Sequence, residues 1–302
     1  MSDADTSHTN ADQIQYWNET AAPKWLALQS LIDPMIEPFG TSTMDRAAIG
    51  PGADVVDVGC GCGQTSLELG RRVAPGGTVL GVDVSAPMLA RAAEDAAATG
   101  LDHVRFLRAD AQEHGFAAAT ADVVFSRFGV MFFADPSRAF ANLRRSLRAD
   151  GRLAFVCWQA LRDNPWMLTP LVAAAEHLTL PEAPAPGAPG PFAFADADRL
   201  RGLLEVGGFT DVEIDGLRRN ISIGTGDLDA TVDFALQMGP TGSALREADP
   251  TVVPRVRAAV RDALAPHATP AGVVLEGARR TVHDRCRRCD GGRRTSLQAR
   301  RD

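Results

Sequence analysis

The run Val55-Val56-Asp57-Val58-Gly59-Cys60-Gly61-Cys62-Gly63 combines an apolar β-branched segment, one carboxylate and three glycines at alternate positions. Glycines in such a turn admit positive φ and leave no Cβ in the path of a ligand. The carboxyl end of a strand in an open parallel sheet is where such folds bind their ligands. A dinucleotide fingerprint, G-x-G-x-x-G, aims a helix N-terminus at a pyrophosphate. Here the third glycine arrives one residue early, and Gln64 stands where that pattern needs glycine. The turn therefore reads as a nucleoside cradle of another kind, set against the plainer role of a tight strand-to-helix connection.

Further polar residues fall at the ends of the next strand-like runs. Asp83 comes twenty residues after Gly63, and a carboxylate there can accept from both hydroxyls of a ribose. Its structural alternative is capping the next helix, for which Ser85 is better placed. Asp110-Ala111 could border an adenine, the Asp accepting from its amino group, or could equally cap a helix. Met88 could lie on the ring or serve as core. Arg127 could hold an anionic group or a salt bridge. Of the candidate bases, His103 starts a strand at the wrong edge and His114 reads as surface, which leaves His177 as the best placed. No catalytic triad is visible.

Something must hold these strand ends side by side. Residues 53–58, 78–82, 104–107, 122–126 and 152–158 read as strands, alternating with helices over 64–73, 86–99 and 136–147. That alternation specifies a mostly parallel sheet with helices on both faces. Gly100 is expected to stop the second helix, and Asp135-Pro136 to open the third. Residues 11–50 read as helical until Pro34, Pro38 and Gly40 break the pattern. After Trp158 come helices over 159–180, 196–206 and 227–264, the last interrupted at Gly239-Pro240 and Pro250. Two strands, 210–214 and 220–223, lie among them, and 181–191 is a Pro/Ala/Gly linker. These helices are expected to cover one edge of the sheet.

The C-terminus reads differently. Val273-Val274-Leu275 begins a strand that Gly277-Ala278-Arg279-Arg280 interrupts with charge. The last strand is therefore expected to be short or missing, from a divergent or frame-shifted end. Residues 278–302 hold nine Arg against three Asp and read as a basic, disordered tail. Cys286 and Cys289, with His283, lack the second pair of ligands that a structural zinc needs, so no metal is expected.

Composition narrows the classes. The chain has 302 residues, is 45% hydrophobic and 23% charged, and carries a formal charge of −7, which disfavours a general nucleic-acid surface. No apolar h-region opens the sequence and no run reaches the ~18 apolar residues of a membrane span. Five cysteines do not make a disulfide framework in a chain this long. A cytoplasmic protein is the expectation.

The runs VVDVGCGCGQT, GVDVS, RADAQ, ADVVFSRFGVMFF and LRADGRLAFVCW resemble those of class I S-adenosylmethionine-dependent methyltransferases, over about residues 12–225. They are most similar to the small-molecule enzymes of the ubiquinone/menaquinone-biosynthesis type. The resemblance implies a Rossmann-like α/β fold with a seven-stranded sheet ending in an antiparallel hairpin. It implies S-adenosylmethionine as cofactor, with Gly59, Gly61 and Gly63 passing its methionine part, Asp83 on the ribose and Asp110-Ala111 beside the adenine. Ser126, Arg127 and Phe128 would face the methionine end and the acceptor. Asp57, Thr65, Val84 and Met88 complete the expected cofactor set. The expected division is a helical lid over 1–50 carrying Tyr16, Trp17 and Trp25, a cofactor-binding core over 51–158, a helical cover with hairpin strands over 159–277, and the tail. Aromatic faces attract a sulfonium by ~0.5–2 kcal/mol, although helix tryptophans more often anchor packing.

The expected reaction is in-line methyl transfer to a small-molecule acceptor, in which orientation alone can supply ~7–11 kcal/mol. The absence of an [Asn/Asp]-Pro-Pro-aromatic run at Ser126-Arg127-Phe128-Gly129, and of a Pro-Cys nucleophile, argues against nucleobase acceptors. Two alternatives stand beside it. An NAD(P)-dependent oxidoreductase would need a Tyr-Lys pair, yet the lone Tyr16 and Lys24 both precede the sheet. A cofactor-binding protein without catalysis is the other.

Overall fold

The computed structural model describes residues 10–224 and 226–284. An N-terminal segment of α1 (Ala11–Gln15), a π-type turn (Tyr16–Thr20) and α2 (Ala21–Arg46) precedes the sheet. The core then alternates β1 (Asp54–Val58), α3 (Gln64–Val73), β2 (Thr78–Asp83), α4 (Ala86–Thr99), β3 (Val104–Arg108), β4 (Ala121–Arg127), α5 (Pro136–Ser146) and β5 (Leu147–Trp158). Helices α6 (Pro165–Ala175) and α7 (Ala197–Val206) lead to β6 (Val212–Ile223). After α8 (Leu228–Ala235), α9 (Gly239–Arg246) and α10 (Val253–Leu264), the chain closes with β7 (Ala268–Thr269) and β8 (Gly272–Asp284).

The sheet runs in the order β3-β2-β1-β4-β5-β8-β6, with the short β7 paired to β8. The first five strands are parallel, and β8 is antiparallel to both β5 and β6. Strand order reverses between β1 and β4, and a crevice opens at such a switch point. Successive strand residues face opposite sides. Val55, Val123 and Phe125 therefore pack with Leu69, Val73 and Met44 on one face. Val56, Val124 and Phe155 pack with Phe140 and Leu143 on the other. The mostly parallel sheet read from the alternation, and the Rossmann-like α/β fold that the resemblance implies, are what is observed.

Several sequence expectations change. Helix α2 runs through Pro34 and Pro38 rather than ending there. The two prolines are one turn apart, and the carbonyls they leave without an intrahelical donor belong to Ser30 and Pro34, both exposed to water. The buried face (Ile32, Met35, Ile36, Phe39, Thr43) keeps its helical period. The two strands read at 210–214 and 220–223 form one, β6. The stretch 159–180 holds a 3₁₀ turn and the shorter helix α6.

The largest correction concerns the end of the chain. The strand expected to fail at residues 277–280 continues to Asp284, paired on both sides. Gly277 survives there because a Cβ would lie 2.2 Å from Ile221 and 3.2 Å from Trp166. The two arginines find separate solutions. Arg279 lays its guanidinium over the Phe39 ring at 4.3 Å, and Arg280 donates to the Ala195 carbonyl. The Cys286/Cys289 pair and the rest of the expected tail lie outside the described residues.

Arg46, at the end of α2, ties the N-terminal segment to this hairpin. It donates to Asp215 and, through Nε, to His283 Nδ1 at 3.3 Å, and lies 3.6 Å from Glu213. Glu213, Asp215 and His283 are close enough to hold a cation, but the Arg46 guanidinium already supplies positive charge among them. Among the described residues no helix is long and apolar enough to cross a membrane.

Candidate functional site

The carboxyl ends of β1, β2, β3 and β4 open into a cavity of about 750 Å³, within the usual range for small-molecule sites. Of the residues singled out from sequence, Gly59, Gly61, Thr65, Asp83, Val84, Met88, Asp110, Ala111, Arg127 and Phe128 line it. Asp57, Gly63, Ser126 and His177 do not, and the first three act from behind the wall.

Asp57 is fully buried, and its Oδ2 accepts from the Thr65 and Ser66 hydroxyls, both at 2.6 Å. It pins the start of α3 under the glycine turn. Burial pushes its carboxyl up from 3.8 to about 6 against the opposing effect of those hydroxyls. Because the folded value exceeds the unfolded one, the folded state holds this proton more tightly. The resulting stabilisation is complete below pH 3.8 and is lost as pH rises through about 6. Asp57→Asn, which cannot ionise, is expected to flatten this component. The stability difference between variant and parent should drift by up to about 1.4 kcal/mol per pH unit across the window. Urea titrations at pH 4.5, 5.5 and 7.5 would check it, and parallel profiles would count against it.

The glycines divide their work. All three have positive φ, but only Gly59 and Gly61 reach the cavity. A Cβ on Gly59 would sit 2.6 Å from the Gly129 backbone, so two glycine backbones cross where the β1 and β4 turns abut. A Cβ on Gly63 would meet Ala92 and Phe106, which makes it a packing glycine between α3 and its neighbours. Ser126 links the same two turns. Its hydroxyl donates to the Val58 carbonyl at 2.7 Å and accepts from Gly129 N–H at 3.2 Å. Gly129 gave no signal of its own because its constraint is a tertiary contact.

Asp83 accepts from Gly61 N–H and from Ser85 N–H, each at 2.8 Å, and burial raises its carboxyl. Each oxygen keeps capacity for another donor. Ser85 occupies the N-cap position of α4 without a side-chain hydrogen bond. Asn18, from the π-type turn, performs the capping: its Oδ1 accepts from Ala86 N–H and its Nδ2 donates to the Val84 carbonyl, both at 3.0 Å. Asp110 accepts from Gln112 N–H at 2.9 Å and from Asn10 Nδ2 at 3.3 Å. The N-terminal segment is thus fastened at two strand ends, by Asn10 and Asn18, neither of which stood out in the sequence.

Arg127 is almost fully buried. It donates to Gln64 Oε1 at 2.5 Å and to Asp33 on α2 at 3.3 Å. Phe128 holds a positive φ of 61°, which costs a non-glycine residue energy and marks an imposed geometry. Its ring stacks on Trp158, with centroids 4.2 Å apart and planes 10° apart. Beyond it, Met131, Leu161, Trp166, Met167 and Phe234 extend an apolar wall. Trp17 also lines the cavity, edge-on to Trp25 at 5.9 Å and to Phe132 at 4.9 Å.

His177 lies past the end of α6, its N–H bonded to the Ala174 carbonyl, away from the cavity. His103 bonds the Gly70 carbonyl and His114 packs on Phe116. Among the described residues no histidine lines the cavity. The Cys60 and Cys62 thiols are raised by burial, the latter to about 12, so neither is a thiolate near neutrality. The site can bind and orient, and one of its walls is aromatic and aliphatic.

Comparison with known proteins agrees with this arrangement. A family described as a methyltransferase domain matches residues 56–155. Nocamycin O-methyltransferase of Saccharothrix syringae is 36% identical over 187 residues, 56% of this chain and 65% of that protein. Aklanonic acid methyltransferase DauC of a Streptomyces species is 31% identical over 148 residues, 47% of this chain and 67% of that protein. Demethylmenaquinone methyltransferase of Thermus thermophilus is 43% identical over 99 residues, 33% of this chain and 44% of that protein. The chain therefore spans between under half and about two thirds of these relatives. The YcgJ protein of Bacillus subtilis superposes with a TM-score of 0.54 at 16% identity, over 81% of this chain and 97% of that one. At that identity it attests to the fold alone.

Proposed function

The chain belongs to the class I S-adenosylmethionine-dependent methyltransferases, and we propose that it methylates a small, largely apolar acceptor held against the aromatic wall. The observation that carries this reading is the division of one cavity into two chemistries. One side offers the Gly59–Gly61 turn, the Asp83 carboxylate and Asp110-Ala111; the other is aromatic and aliphatic.

S-adenosylmethionine supplies the electrophilic methyl group. Every other contribution falls to the chain. Asp83 would accept from the ribose hydroxyls with the oxygen capacity left beside its two backbone donors. Asp110 and Ala111 would border the adenine, with Met88 beneath. Arg127, held by Asp33 and Gln64, stands where a carboxylate would find a desolvated guanidinium. The N-terminal segment 10–46 would act as a lid, its aromatic side chains excluding water, with the acceptor placed for in-line attack by Phe128 and Trp158.

No base is required where the acceptor oxygen ionises readily, and the lack of a cavity histidine among the described residues fits such an acceptor. A relative named as an O-methyltransferase supports oxygen as the atom methylated. The overall charge of −7 supports an acceptor other than nucleic acid. A cytoplasmic setting is supported by the free thiols of Cys60, Cys62 and Cys157. Calorimetric titration with S-adenosylmethionine, S-adenosylhomocysteine and NAD tests the reading. Saturable binding of the first two is expected, with turnover on a panel of phenols and carboxylic acids. Binding of NAD alone would reject it, and cofactor binding with no turnover would favour a non-catalytic binder.

A further inference from the structure

Lys24 is the single lysine among the 31 Lys and Arg residues of the chain, and it lines the cavity rather than the outer surface. It sits in the first turn of α2, half-buried. Arg246, exposed to water, closes the last turn of α9 and lines the same cavity. With both cations on one cavity, burial and then the Arg246 charge lower the Lys24 ammonium below its ordinary value. Like charges lining one cavity disfavour each other unless an anion sits between them.

Among the described residues no side chain supplies that anion. Among the described residues neither Lys24 nor Arg246 makes an ion pair within 4.0 Å. Glu182 and Glu247 also line the cavity, yet neither forms an ion pair with Lys24 or Arg246, and Asp33 is engaged with Arg127. Arg246 donates to the Ser243 hydroxyl at 2.7 Å, which braces its guanidinium. Ser243 and Gln237 add neutral polar groups to the same side. Trp25, Phe234 and Met238 give the same cavity an apolar wall.

The geometry points to an oxyanion site formed by Lys24 and Arg246, which takes an acidic group, a carboxylate or ionised phenol, on an acceptor whose ring system fills the apolar part of the cavity. This rests on the reading of that cavity as the acceptor site. Neither residue belongs to the proposed cofactor cradle, so both can be changed without touching it.

A matched pair of probes tests the site: anionic 1-anilinonaphthalene-8-sulfonate and neutral N-phenyl-1-naphthylamine, followed by fluorescence. The double variant Lys24→Met, Arg246→Met is expected to bind the sulfonate about tenfold more weakly and the neutral probe within twofold of the parent. Raising NaCl to 0.5 M should weaken the sulfonate only in the parent, since exposed charge is screened. Equal changes for both probes, or no change for either, would overturn the proposal. S-adenosylhomocysteine titration of both proteins is read separately. Unchanged affinity in the variant confirms an intact fold. Failure of the parent to bind it would reject the methyltransferase reading while leaving the charge preference to be judged on the probes.

Discussion

Asp83→Ala should raise the dissociation constant for S-adenosylhomocysteine about a hundredfold, roughly 3 kcal/mol. Two effects combine. The carboxylate oxygens each accept one backbone N–H, from Gly61 and Ser85, so they fix the glycine turn and the start of α4 before any ligand arrives. Their remaining acceptor capacity is what two ribose hydroxyls would use, and a hydrogen bond to a charged group contributes about 1.5–3 kcal/mol. Removing the side chain loses the ribose contacts and also leaves the Gly61 N–H without its partner at the edge of a desolvated cavity. Asp83→Asn keeps one acceptor oxygen and should cost about tenfold, because the amide must turn a donor toward one of those N–H groups. Calorimetry at matched pH, with thermal unfolding as a check on the fold, reads both. Affinities within threefold of the parent in both variants would remove Asp83 from the cofactor site.

Local rules carried much of this site. Strand, glycine turn and helix follow one another in Val55–Val73, and no tertiary contact is needed to recognise the order. Asp83 and Asp110 are legible for the same reason, each being a polar residue at the end of an apolar run. What escaped are residues whose role exists only across the fold. Asn10 and Asn18 lie in a polar N-terminal stretch, and only the folded chain brings them to Asp110 and to the start of α4. Asp33 is unremarkable in a helix until β4 delivers Arg127 to it. Gly129 is one glycine among 28 until its backbone meets that of Gly59. The same blindness produced errors of commission. His177 has suitable chemistry and falls in a stretch that reads as helical, yet α6 ends at Ala175 and His177 does not line the cavity.

The closing strand shows how charge misleads when tertiary partners are hidden, and it yields the second large effect. Ending the chain after Gly277, where the strand-like pattern lapses, should abolish cooperative folding. Residues 278–284 pair with Ala154–Trp158 of β5 on one side and with Val212–Arg218 of β6 on the other. Their removal exposes an interior edge of the sheet, leaves both flanking strands with unpaired backbone groups, and uncovers the apolar surface beneath Ala278 and Val282. A shortened protein that is soluble, unfolds cooperatively and binds S-adenosylhomocysteine normally would refute this.

The companion variant Arg279→Met separates the strand from its charge. Arg279 is 4% exposed, its Nε and Nη1 lack hydrogen-bond partners, and burial lowers its guanidinium to about 10. Its one evident compensation is the Phe39 face, an interaction of about 0.5–2 kcal/mol. Methionine keeps the stem volume and removes the cost of an unpaired buried charge. The variant is therefore expected to fold cooperatively and to be no less stable than the parent in urea. Should Arg279→Met unfold the protein as truncation does, the guanidinium rather than the backbone ladder would be what holds β8 in place. An intact variant beside an unfolded truncation assigns that role to the ladder, which depends on backbone groups that arginine shares with every residue but proline.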